Sequence, residues 1–129
     1  MDNMEGDMKV YKIYRTNDNG VCCAVQVSSV PPGGPSFNYA LKHIVHHSPT
    51  GFEYGYAGSG PADLALSILA DYYKVSKKED AINGDSGALH NGFKDSFLVN
   101  RNPNENFEIT EEEITEWLFQ RSFGETNDA

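Results

Sequence analysis

The chain has 129 residues, of which 39% are hydrophobic and 12% aromatic, and a formal net charge of -9 at pH 7. A chain of this length is about one domain and buries roughly two thirds of its unfolded surface, which excludes a disordered body and asks for no disulfide staple. No apolar run approaches the roughly 18 residues of a bilayer span, and the opening MDNMEGDMK lacks the basic and apolar regions of a secretion signal, so the expected setting is the cytoplasm with no membrane partner.

Residues 1–7 are polar and acidic and read as a flexible N-terminus; residues 8–123 read as a single α+β domain and 124–129 as a flexible tail. In MKVYKIYR, Tyr11 and Ile13 share one parity and Val10 and Lys12 the other, and VCCAVQVSSV follows after Asn19-Gly20. Two strands joined at an Asn-Gly turn predict a β-hairpin. Adjacent Cys22 and Cys23 would point to opposite faces of the second strand, so two unpaired thiols are expected, one of them buried.

Pro31 to Pro35 cannot continue a strand or a helix and forms a loop. Tyr39, Leu41, Ile44 and Val45 then roughly fit one helical face, predicting a short helix over 37–47. His47 to Gly51 reads as a turn and residues 52–57 as a strand carrying Phe52, Tyr54 and Tyr56 on one face. After Gly58-Ser59-Gly60-Pro61, the spacing of Leu64, Ile68 and Tyr72 predicts an amphipathic helix ending near Lys74. Pro61 suits its first position, which makes Ser59 or Gly60 the cap and sets Asp63 in the first turn against the helix dipole.

Residues 80–87 read as a loop, and Leu89, Phe93 and Phe97 predict a third helix. Phe107 to Ile109 is a candidate strand. Thr110 and Glu113 make a capping box ahead of Ile114, Trp117 and Leu118, predicting a closing helix of about ten residues. The expected architecture is a small antiparallel sheet, the hairpin plus the 52–57 strand, packed against two to three helices.

The strand, glycine turn and helix over 52–70 form the unit with the most chemical content. Free amides at a helix start, backed by the dipole, receive anions. The run is neither GxxxxGK[ST] nor GxGxxG, which excludes a phosphate-binding loop of that type. The candidate ligand-binding residues are His47, Ser48, Glu53, Tyr54, Tyr56, Ser59, Gly60 and Asp63, with the aromatics able to stack on a nucleobase. The plainer reading is a tight turn whose aromatics face the core.

His43, His46 and His47 form HxxHH, with Glu53 a conceivable fourth ligand, but no HExxH or second cluster supports zinc, so no metal or cofactor is assigned. Ser48 or Ser59 with His47 and Asp63 lacks the GxSxG context of a hydrolase, and no catalytic residue is assigned. Charge is uneven: residues 105–129 carry eight acids against Arg121, residues 2–7 carry three more, and 8–104 hold eight acids and nine bases. A nearly neutral body weakens the idea of a whole-surface nucleic-acid mimic and leaves room for an anionic ligand, while the acidic end suits a decoy that blocks a basic site on another protein; no direct nucleic-acid partner is expected.

The run from His47 to Leu66, HSPTGFEYGYAGSGPADLAL, resembles the signature of a small domain-of-unknown-function family of bacteria, plasmids and phages. The resemblance implies a soluble intracellular protein, often phage-encoded, without a settled activity. It favours a binding or inhibitory role: sequestering a nucleotide-like or anionic ligand at 47–63 to counter a host defence signal. The alternatives are an acidic inhibitor of a host protein and a small hydrolase or metal-dependent enzyme; self-association stays open in each.

Overall fold

A computed structural model describes residues 8–16 and 23–128, with side chains for 8–16 and 23–121. Strand β1 (Met8–Arg15) pairs antiparallel with β2 (Cys23–Val30) along its whole length, Met8 opposite Val30 and Arg15 opposite Cys23. Both expected hairpin strands are present; the Asn19-Gly20 turn and Cys22 lie outside the described residues. Side chains alternate as the pleat requires, with Lys9, Tyr11 and Ile13 of β1 and Cys23, Val25 and Val27 of β2 turned into the core. Cys23 is one of the two expected thiols, and it is buried.

Among the described residues the sheet has four antiparallel strands in the order β3-β2-β1-β4, which makes the domain α+β. Its outer strands are not those expected. β3 (Phe37–Ala40) pairs with β2, where a helix over 37–47 was predicted, and β4 (Phe107–Thr110) pairs with β1. The period explains the correction: Phe37 and Tyr39 alternate with Asn38 and Ala40, and β2 offers an open edge of amides and carbonyls that a neighbouring strand satisfies. Beyond Ala40 the chain runs as an irregular segment that buries Leu41 and Ile44.

Residues 52–57 form no strand. Gly55 sits at φ +95, donates its N–H to the Leu98 carbonyl at 2.9 Å, and approaches Pro103 so closely that a Cβ would lie 2.9 Å from the proline Cβ. That conformation, open to glycine and strained for other residues, breaks the two-residue period. Phe52 and Tyr54 are therefore buried while Tyr56 turns out to solvent, 49% exposed.

Helix α1 (Ser59–Tyr72) lies at the centre of the molecule. Every residue from Gly60 to Ala70 is buried, so this is a core helix and not an amphipathic surface one. The text ADLALSILA is apolar nearly all round, the pattern of a helix enclosed on all sides. One side packs with Tyr11, Val25, Val27 and Ile109 of the sheet, another against α3, and a second small cluster joins Leu66 and Ala70 to Ile44 and Ala81. Ala81 belongs to α2 (Lys78–Asn83), a short helix where a loop was expected, with Glu79 and Asp80 in its first turn.

Helix α3 (Asp85–Phe97) matches the predicted spacing and stacks Phe93 and Phe97 edge-on to Trp117 of α4 (Glu111–Asp128). The capping box is present: Thr110 N–H donates to Glu113 Oε1 at 2.9 Å and Glu113 N–H to Thr110 Oγ1 at 3.1 Å. The helix it starts has 18 residues, longer than the ten expected. Among the described residues no helix is long and apolar enough to cross a membrane.

Candidate functional site

Polar groups converge at both ends of α1. At the N-terminal end, α1 begins at Ser59 with Gly58 as its cap, ahead of the expected Ser59 or Gly60, and Asp63 falls in the second turn instead of the first. Its carboxylate therefore does not face the helix dipole. It is fully buried and turned toward the irregular segment after β3, accepting Nε2–H of His43 at 2.9 Å and the amides of His47 at 2.8 Å, Ser48 at 2.9 Å and His46 at 3.2 Å. Burial alone would raise its pKa, but these donors prevail and hold the carboxyl below its ordinary value. Asp63 works as a clamp that gives a non-helical segment the amide partners it lacks.

Most of the other residues singled out beside Asp63 are also committed to packing. Ser48 is buried and its hydroxyl donates to the Gly51 carbonyl at 3.1 Å. Glu53 pairs with Arg15 at 2.6 Å, and Arg15 lies over the Tyr54 ring at 4.4 Å. The Tyr54 hydroxyl donates to the Glu105 carbonyl at 3.0 Å. Gly60 is buried against Glu53, whose Cβ would be 2.8 Å from a Cβ added there. Tyr56, His47 and Ser59 are exposed, and among the described residues no side chain caps the first amides of α1.

Among the described residues, Ser48 and Ser59 have no histidine within hydrogen-bond reach. The His47 ring turns away from Ser48 and meets His90 of α3, Nε2 to Nε2 at 3.2 Å, while Asp63 is filled by amides and by His43. His43 is separated from His46 and His47 in role because the segment is not helical, and Glu53 is taken by Arg15, so the HxxHH set does not assemble. His90, which has no neighbouring motif in sequence, is 7% exposed and bonds the Gly87 carbonyl through Nδ1 at 2.6 Å.

The C-terminal end of α1 carries a site to which no local motif points. Asp71 accepts the Lys9 ammonium at 3.0 Å and the hydroxyls of Tyr11 and Tyr39, each at 2.7 Å. An acid in the last turn of a helix meets the negative end of the dipole and calls for donors from elsewhere, and two strands, β1 and β3, supply the three of them. Burial pushes the Lys9 pKa down, but Asp71 and Tyr39 outweigh it and the value lies above the ordinary one. Burial and then Asp71 raise Tyr39 to about 12 and carry Tyr11 higher.

Beside this cluster is a cavity of about 270 Å³ lined by Lys9, Lys42, Asp71, Lys74 and Ser76 over an apolar floor that includes Leu41 and Ile44. Lys42 Nζ donates to the Ser76 carbonyl at 2.7 Å. Lys74 occupies the left-handed conformation at φ 61, the one non-glycine residue to do so among the described residues. It sits where α1 closes, with Val75 N–H returning to the Ala70 carbonyl at 2.8 Å and Lys74 N–H to Asp71 at 3.0 Å, a Schellman closure that glycine usually serves.

A profile described as a family of unknown function, DUF6166, matches residues 14–120. The chain belongs to that family. No curated protein and no solved structure matches it.

Proposed function

We propose that this member of the DUF6166 family is a binding domain for a small anionic molecule, one bearing a phosphate or carboxylate as a nucleotide does, whose charged group is received among Lys9, Lys42 and Lys74. The observation that carries the reading is a single recess lined by three lysines, Lys9, Lys42 and Lys74, and one carboxylate, in a protein of net charge -9. Lys9 is balanced by Asp71, so Lys42 and Lys74 leave the recess with an excess of positive charge that attracts a small anion. At about 270 Å³ the recess is at the small end of ligand sites, so it takes a charged head group and leaves any larger body outside.

The backbone supports the same reading. A lysine held at φ 61 stores strain of roughly 1–2 kcal/mol, and strain of this kind persists where a side chain is needed in a particular place. Carried by a phage or plasmid, such a domain would act by sequestering a soluble anionic signal.

A second reading keeps the ligand at the N-terminal end, stacked on Tyr56 beside the uncapped amides of α1; the 49% exposure of that ring favours it. Isothermal titration with phosphate, pyrophosphate and adenosine monophosphate separates the two. Binding weakened at least tenfold by Lys42→Glu and Lys74→Glu and unchanged by Tyr56→Ala is the expected result. Loss with Tyr56→Ala alone moves the ligand to the glycine turn, and no binding of any anion by the unaltered protein rejects both.

A further inference from the structure

We propose that His47 and His90 form a two-imidazole site for a divalent transition-metal ion of the zinc class, on the face of the molecule between the Asp63-clamped segment and α3. Zinc–nitrogen bonds of about 2.0–2.1 Å at tetrahedral angles place two ligand nitrogens roughly 3.3 Å apart. The two Nε2 atoms are 3.2 Å apart. The ring centroids are 5.3 Å apart, farther than the nitrogens, so the rings converge tip to tip on the place an ion would take.

The protonation pattern is that of a ligand. The Gly87 carbonyl can only accept, so His90 carries its proton on Nδ1 and presents a bare Nε2. Locking one ring nitrogen to a carbonyl is how metal-binding histidines are commonly oriented. Without metal, His47 donates its Nε2–H to that lone pair. On binding, the His47 proton moves to Nδ1, which needs no net proton release.

Both ligands are held from behind. His90 is buried on a helix that packs against α1, and the His47 amide is fixed to Asp63 at 2.8 Å, while the His47 ring itself is exposed and gives an ion a path of entry. The neighbouring His46 ring is 4.2 Å from that of His47, centroid to centroid. Among the described residues no group of three His, Cys, Asp or Glu side chains closes a full set. With two protein ligands the remaining positions are left to water or an anion, so the ion is held exchangeably and not as a closed structural site.

The test is titration of the full chain with zinc chloride at pH 7.5, followed by calorimetry and by native mass spectrometry. The expected result is one ion per chain, with affinity lowered at least tenfold by His47→Gln and by His90→Gln and unchanged by Lys42→Ala. His90 is buried, and if its replacement disturbs folding the exposed His47→Gln decides alone. No zinc bound at millimolar concentration, or binding that survives His47→Gln, overturns the proposal. Neither outcome bears on the lysine recess, which is lined by other residues.

Discussion

The two ends of helix α1 differ in how they are written in the sequence and in what they hold. The N-terminal end is announced by a run of glycines, a proline and aromatics, and nearly every polar group there is spent on the framework: Asp63 on three backbone amides and His43, Glu53 on Arg15, Tyr54 on Glu105. The C-terminal end has no motif. It draws Lys9 from β1, Tyr39 from β3 and Asp71 and Lys74 from α1 and its closing turn, and it leaves a recess edged by charge. A recognisable run of residues marks where the chain must turn tightly; a ligand site assembled from distant strands leaves no such run.

The largest effect that tests this contrast is expected at the clamp. Asp63→Ala removes the acceptor of four donors in the interior and is expected to lower stability by about 3–5 kcal/mol, a large part of the roughly 10 kcal/mol typical of such a domain, read from the urea midpoint. The sign of the pH dependence follows from its lowered pKa: the contribution is complete above the ordinary carboxylate value and is lost as pH falls through the lower folded one. The acid limb of the stability curve should flatten in Asp63→Asn. An unchanged acid limb would place the clamp's strength in the amides' other surroundings.

At the opposite end, Asp71→Asn strips the partner from a buried ammonium and weakens two tyrosine hydrogen bonds, and a loss of roughly 2–3 kcal/mol is expected. Here the titration runs the other way. Tyr39 is raised to about 12 and Tyr11 higher, so their contribution is complete below the ordinary tyrosine value near 10 and is lost as pH rises through the folded values. Alkaline unfolding followed by tyrosine absorbance should begin near pH 10 and shift when Asp71 is neutralised.

The same contrast explains which parts of the fold were legible. Hydrophobic period two revealed β1 and β2, four-residue spacing revealed α1 and α3, and Thr110 with Glu113 gave the start of α4 to the residue, because each signal is local. The helix expected over 37–47 is a strand at 37–40 followed by irregular chain, and the strand expected over 52–57 is irregular. β3 is fixed by the open edge of β2, and the extension expected after Phe52 is broken at Gly55 by contact with Pro103, 48 positions later. For the same reason Tyr54 and Tyr56, two residues apart, take opposite environments. Lys9 did carry a usable signal: it shares parity with Tyr11 and Ile13, which puts an ammonium on the core face and requires an acid across from it.

The smallest expected effect discriminates most sharply, because it has opposite signs for folding and for binding. Lys74 pays a steric penalty at φ 61 that glycine does not, so Lys74→Gly should relieve about 1–2 kcal/mol of native strain and give back about half of it through the freer unfolded chain, a net gain of roughly 0.5–1 kcal/mol. If the recess is only a gap at the end of a helix, nothing else changes. If it receives an anion, removing one of three ammonium groups weakens binding by about 1 kcal/mol, roughly fivefold, while the protein melts higher. A residue that makes its own domain less stable and its ligand more tightly held is placed by function, and calorimetry of this one variant measures both quantities on the same sample.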